Sequence, residues 1–166
     1  MDEKGKALVG ILLSLLLLAS IILRDAWILG ESSDVVFLTS FFVYVLLLPW
    51  VTGDREEKTF ILLIGAMVLM APAMDTLFSQ PGAPDNWEFG FSVVDFLLLS
   101  GSGILYYHAL LGISRKTKIE AFRIQGFLYL IATVGSVTLL GILGWVGWVL
   151  GVPVSHILHY RAVGGK

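Results

Sequence analysis

Long runs of apolar residues without a charge constrain this chain more than any other feature. The run Ala7–Leu23, which contains "ILLSLLLLASIIL", holds no charged residue and does not alternate apolar with polar positions. A membrane-spanning strand needs that alternation, whereas a helix of this length crosses most of a hydrocarbon core about 30 Å thick. The run therefore predicts a transmembrane helix.

Composition extends this interpretation to the whole chain. Of the 166 residues, 57% are hydrophobic and 14% are charged, whereas soluble domains average about 45–50% and about 25%. So few charged side chains do not cover the surface of a soluble domain, and lipid requires none. The sequence predicts an all-α, polytopic transmembrane helical bundle, with residues 1–166 forming a single integral membrane domain.

Charged or turn-rich breaks separate the apolar runs and predict five spans. The first is longer than the apolar part of a typical signal peptide and lacks a convincing cleavage site, so we expect it to be retained. Gly151 and Pro153 are expected to end the last helix and leave an interfacial C-terminal tail. The predicted spans are residues 7–23, 35–50, 59–74, 89–113 and 124–148, and the tail is 152–166.

The last stretch leaves an alternative open, because Ile124–Tyr160 is too long for one span and barely long enough for two. Arg123 as a basic anchor, with Trp145 and Trp148 as interfacial aromatics, favours one span. A six-span alternative would turn at Gly141–Gly144.

Lysine and arginine positions predict the orientation, since cytoplasmic loops carry an excess of these residues. With five spans and a cytoplasmic N-terminus, eight lie inside and three outside; six spans change the count to ten against one. We expect a multi-pass protein of the cell membrane with its N-terminus in the cytoplasm.

The fourth span carries a candidate polar path. Asp95, Ser102 and Tyr106 are spaced by seven and four residues and therefore share one helical face. Ser100 adds a hydroxyl near the bilayer midplane, and Asp75 ends the third span on the same side as Asp95. The segment Ser100–Gly103 could break the helix at a transport site, or it could let a neighbouring helix approach closely.

Three histidines are the other candidate ligands. His156 and His159 lie one helical turn apart, and His108 would reach the same membrane side only with six spans. That arrangement would permit a metal or haem site. The sequence contains no recognisable catalytic motif, so we predict no catalytic residue and no cofactor, and an enzyme is the less favoured class.

A short basic loop follows the fourth span. It places four bases at the predicted cytoplasmic surface, where contact with anionic lipid headgroups is expected. These bases are Arg115, Lys116, Lys118 and Arg123.

The net charge and the spacing of small residues predict which partners the chain has. A net charge of −2 does not attract nucleic acid, and without cysteine the chain forms no disulfide or thiolate site. Ala132 with Ser136, and Gly147 with Gly151, have the spacing of close helix contacts. We therefore predict the lipid bilayer as one partner, and a homo-oligomer or other membrane subunits as the second.

Three functions remain open on the sequence alone. The first is a non-enzymatic oligomeric component or subunit of a membrane complex. The second is a small transporter or channel that uses the polar path of the fourth span. The third is an intramembrane lipid-processing enzyme or a redox subunit that carries haem or quinone.

Overall fold

The computed structural model describes residues 1–25, 32–78, 93–136 and 138–165, except for the side chains at 24–25, 32–34 and 74–78. These residues form α-helices and no strand, which confirms the all-α class. In chain order the helices are α1 (Glu3–Asp25), α2 (Ser32–Val51), α3 (Glu57–Phe78), α4 (Val93–Thr117), α5 (Glu120–Val134) and α6 (Leu139–Gly164).

The helices form a closed ring. Each packs against the next along the chain, and α6 packs against α1. One end of the ring, which we name the charged end, gathers the start of α1, the α2–α3 and α4–α5 connections and the end of α6. Lys4 lies over the Tyr160 ring at 5.6 Å, and Lys116 pairs with Asp54. The start of α1 and the end of α6 therefore lie at the same end.

Two tight connections produce this arrangement. After α2 the chain turns at Gly53, whose φ of 68° is accessible to glycine at little cost. Its backbone N–H donates to the Trp50 carbonyl at 3.2 Å. Between α4 and α5 the turn residue is Lys118, with a φ of 60°. Because both loops are short, the joined helices must run antiparallel and adjacent.

Three helical segments in the described ranges are long and apolar enough to cross a membrane: Glu3–Leu23, Val93–Thr117 and Leu139–Gly164. A shorter apolar helix covers Val35–Val51. The outer surface agrees with this composition, because large apolar side chains such as Leu12, Val68, Leu97 and Val146 are exposed. Apolar surface on this scale indicates a membrane protein.

The single helix that the sequence predicts over 124–148 does not form. Helix α5 ends at Val134, the chain turns through Gly135, and α6 begins at Leu139. The physical reason is close packing: a Cβ atom on Gly144 would lie 2.5 Å from the backbone nitrogen of Ala132. Glycine therefore lets α6 fold back along α5. This turn comes earlier in the chain than the segment Gly141–Gly144, where the six-span alternative places it.

The end of the last helix that the sequence predicts at Gly151 and Pro153, before a tail over 152–166, does not occur. Residues up to Gly164 continue α6 through Pro153, and the buried side chains of Val152, Ser155 and His156 face the ring interior. Trp148, expected at the membrane interface, is fully buried and packs on Tyr129 with ring centroids 5.3 Å apart. Trp148 packs in the core and does not mark a helix end, because α6 continues for four further turns beyond it.

Candidate functional site

Four buried polar side chains from four helices meet inside the ring. We call them the polar cluster: Tyr44 (α2), Tyr106 (α4), Gln125 (α5) and His156 (α6). Gln125 Nε2 donates to Tyr44 Oη and to Tyr106 Oη, both at 3.1 Å. Tyr44 Oη lies 3.1 Å from His156 Nε2. All four side chains are at most 1% exposed.

His156 contacts both α2 and α1 through its two ring nitrogens. The Tyr44 oxygen accepts from Gln125 and lies 3.1 Å from His156 Nε2, where the direction of the hydrogen bond depends on the histidine tautomer. His156 Nδ1 faces Gly10 on α1, where a Cβ would lie only 2.5 Å away. A glycine at position 10 is therefore what allows the imidazole to sit between α1 and α2.

The polar cluster is only partly satisfied. Gln125 Oε1 and His156 Nδ1 are buried and have no hydrogen-bond partner among the described residues, and the same holds for Ser102 Oγ. An unpaired buried polar atom costs about 1–3 kcal/mol. An apolar side chain at the same position would avoid this cost. Buried polar side chains that carry it are therefore candidates for a functional role.

The cluster reaches the charged end through His159. This residue lies one turn beyond His156 and is 5% exposed. It lines a cavity of about 650 Å³, which we name the basal cavity, together with Glu3, Thr52 and Lys116. His159 therefore lies between the charged lining of the basal cavity and the helical turn that carries His156.

The candidate path of the fourth span meets this cluster. Asp95, Ser102 and Tyr106 are all buried on the inner face of α4, and Tyr106 belongs to the cluster itself. Ser100 is half-buried. Asp75 lies within α3, but its side chain is outside the described part of the structure. Buried polar groups thus extend along α4 from Tyr106 to Asp95.

The segment Ser100–Gly103 does not break the fourth helix, because α4 is continuous from Val93 to Thr117. Gly101 packs against Leu69 of α3, where a Cβ would lie 3.0 Å from the Leu69 methyl carbon Cδ1. Gly103 packs against Thr133 of α5, which leaves no space for a Cβ. Of the two alternatives, close helix packing is what these glycines provide.

The three histidines do not form one site. His156 and His159 face the ring interior, whereas His108 is exposed on α4 and lines a cavity with residues of α3. Within the described ranges no group of three His, Asp or Glu side chains could hold a metal ion. The structure therefore separates His108 from His156 and His159, because the helical faces point these side chains in different directions.

The four predicted headgroup bases separate into different environments. Lys116 Nζ lies 2.9 Å from Asp54 Oδ1, and Arg123 Nε lies 2.9 Å from Glu120 Oε2. Lys118 lines the basal cavity, and Arg115 lines the cavity of His108. Two of these bases therefore already have a carboxylate partner within the chain.

Asp54 anchors the α2–α3 connection to the end of α4. Burial alone would raise the pKa of its carboxyl group. The bonds donated by Lys116 Nζ, the Glu56 backbone N–H at 3.1 Å and the Thr59 hydroxyl at 2.8 Å outweigh burial and lower that pKa. The lowered pKa means that the charged carboxylate stabilises the folded state.

We expect Asp54→Asn to lower the free energy of unfolding by about 1 kcal/mol at neutral pH, because it removes the charge that three donors stabilise. The stabilising contribution is fully present above the unfolded-state pKa. It is lost as the pH falls through the lower folded-state pKa. Thermal unfolding of both proteins in detergent, followed across acidic pH, should therefore show the difference shrinking. Glu120→Gln, on an exposed pair, is the control, and a pH-independent difference would contradict the assignment.

Small residues of the last stretch pack within the chain. Gly144 contacts α5, Gly147 faces Leu128, and Gly126 faces Tyr107 and Leu110. Contacts within the chain therefore explain glycines whose spacing also fits association between subunits. A homo-oligomer or a complex with other subunits stays a prediction.

Sequence reasoning missed Tyr44 and Gln125, and placed Trp148 at the wrong depth. A signal was present, because an isolated polar side chain inside an apolar run is costly and calls for a partner. The sequence does not predict which side chains pair, since Tyr44 lies 81 positions from Gln125 and 112 positions from His156.

Comparison of the chain with protein-family models, curated proteins and solved structures found no match. The polar cluster and its surroundings are therefore the basis for a functional proposal.

Proposed function

We propose that the protein is a multi-pass protein of the cell membrane that moves protons along its buried polar side chains. The observation that carries this proposal is a hydrogen-bonded group of polar side chains inside the ring. Distances of 3.1 Å link His156, Tyr44, Gln125 and Tyr106. His159 lies one helical turn beyond His156 toward the charged end, and Ser102 and Asp95 are buried on the same face of α4 as Tyr106.

The proposed topology has six spans with both termini in the cytoplasm. Of the ten lysines and arginines among the described residues, all but Arg24 fall at the charged end or in the segments that join there. This distribution favours the charged end as the cytoplasmic side. The basal cavity then opens to the cytoplasm, and Asp95 lies toward the opposite surface.

Packing inside the ring favours a proton over a larger ion. Phe41, Tyr129 and Trp148 fill the interior beside the cluster and are at most 2% exposed. A hydrated cation needs a space that these aromatic rings occupy, whereas a proton moves between neighbouring hydroxyl, imidazole and carboxylate groups. Gln125 is a positioning residue in this scheme, because its amide holds the two tyrosine hydroxyls around one nitrogen.

Proton flux into liposomes tests the proposal. Purified protein is reconstituted with a pH-sensitive dye inside the vesicles, and a potassium gradient with valinomycin sets the membrane potential. We expect acidification faster than in empty vesicles and a large decrease with Asp95→Asn, which removes the only ionisable group in this part of α4. Glu120→Gln, which alters an exposed carboxylate paired with Arg123, is the control outside the series. A wild-type rate equal to that of empty vesicles would exclude the proposed activity.

A further inference from the structure

A second cavity lies between α3 and α4 near the charged end, on the outer side of the ring. We name it the lateral cavity; its volume is about 680 Å³. Its polar lining comes from Lys58, Thr59, Arg115, Lys116 and His108, with Glu56 as an acid. Its apolar lining comes from Leu62 and Leu111. A site with bases on one side and apolar side chains on the other fits an amphipathic anion.

Charge pairing specifies the anion further. Lys116 is neutralised by Asp54, whereas Lys58 and Arg115 take part in none of the ion pairs between described residues. These two bases and Glu56 leave the lining with one net positive charge. That value matches a singly charged phosphodiester, and arginine is well suited to bind phosphate through two parallel hydrogen bonds.

The floor of the cavity is open because position 112 is a glycine. A Cβ atom added to Gly112 would meet only Thr59 Oγ1, at 3.5 Å. The other glycines of α4 are closely packed: Gly101 and Gly103 each face a side chain of a neighbouring helix. Gly112 therefore maintains a space that an ordinary side chain would fill without a clash.

The depth of the lateral cavity matches a lipid. Arg115 and His108 are seven residues apart on α4, so the cavity extends roughly 10 Å along the helix. Beyond it, the exposed side chains of Ile61 and Ile104 continue the apolar outer surface of α3 and α4. Acyl chains could lie on this surface while the headgroup occupies the basic part.

From these observations we infer that the lateral cavity binds the headgroup of an anionic phospholipid in the cytoplasmic leaflet. This site is distinct from the polar cluster, and its occupancy does not depend on proton transfer. Arg115 and Lys58 would hold the phosphodiester, with Thr59 and His108 as further hydrogen-bonding groups. Of the four bases predicted to contact lipid headgroups, the inference assigns Arg115, in the last turn of α4, to this site.

Native mass spectrometry of the full chain in mild detergent tests the site. Phosphatidylglycerol is added to the wild type, to Arg115→Gln and to Gly112→Leu, with phosphatidylcholine as the neutral lipid. We expect the wild type to retain phosphatidylglycerol in preference to phosphatidylcholine. Arg115→Gln should weaken that retention about tenfold, the effect of losing one charged hydrogen bond. Gly112→Leu should also weaken it, because the new side chain fills the floor of the cavity. Arg123→Gln, which alters the exposed pair with Glu120, should leave retention unchanged.

Three results would overturn the inference. Equal retention of the two lipids would remove the charge specificity, and wild-type retention by both Gly112→Leu and Arg115→Gln would place the lipid elsewhere. Displacement of phosphatidylglycerol by millimolar inorganic phosphate would identify a site for free phosphate instead. Because Gly112→Leu adds a side chain in open space and Arg115→Gln alters an exposed one, neither variant should lower the melting temperature.

Discussion

Gly144→Ala is expected to destabilise the protein strongly, although it adds one methyl group. The new Cβ would lie 2.5 Å from the Ala132 backbone nitrogen and 2.9 Å from the Leu128 carbonyl oxygen. Backbone atoms do not rotate out of the way as side chains do, so α5 and α6 must separate. Overpacking in a core costs about 1–3 kcal/mol, and we expect the upper part of that range here.

Gly151→Ala is the matched control on the same helix. A Cβ at position 151 would meet Leu128 Cδ1 at 3.9 Å, an ordinary van der Waals distance. Alanine also favours the helical backbone by about 0.5–1 kcal/mol over glycine, so this variant should be neutral or stabilised. Thermal unfolding in detergent, followed by tryptophan fluorescence, compares the two variants. Equal melting temperatures would show that α5 and α6 do not pack as described.

Tyr106→Phe is expected to reduce proton flux to the level of empty vesicles if the polar cluster conducts protons. The substitution removes one hydroxyl, which accepts from Gln125 at 3.1 Å, and preserves the ring that packs against Tyr129 at 4.6 Å. The stability cost should stay near 1 kcal/mol, since only one buried hydrogen bond is lost. Flux and folding are therefore separable in this variant.

Tyr107→Phe provides the control at the neighbouring position. Tyr107 is half-buried on another face of α4, where its ring contacts His108 and Phe127. Removing its hydroxyl makes the same chemical change outside the cluster, and flux should remain at the wild-type rate. Similar rates in Tyr106→Phe and Tyr107→Phe would argue that the cluster has a packing role only.

The polar cluster would then resemble other buried polar networks that specify one arrangement of helices. Its partners come from α2, α4, α5 and α6, so an incorrect helix register would separate Gln125 from Tyr44 and Tyr106. Each buried group left unpaired raises the free energy of the incorrect arrangement. The flux and stability measurements together distinguish conduction from this structural role.

Local sequence was sufficient for part of the candidate site. The spacing of Asp95, Ser102 and Tyr106 predicts one helical face, and all three are buried on α4. Local sequence was insufficient for the histidines, because spacing along one helix does not show which neighbouring helix a given face contacts. His156 meets Tyr44 of α2, and His108 remains exposed beside α3.

The sequence by itself determined the helical class and, to within four residues at each end, where the first four helices lie. Long uncharged apolar runs leave the backbone polar groups to be satisfied within each segment, and a helix does this without a partner. Only the tertiary structure decided how the last stretch divides and which polar side chains meet. Those outcomes depend on contacts between distant positions: Gly144 fits against Ala132 across a helix pair, and Gln125 bonds to side chains of two other helices.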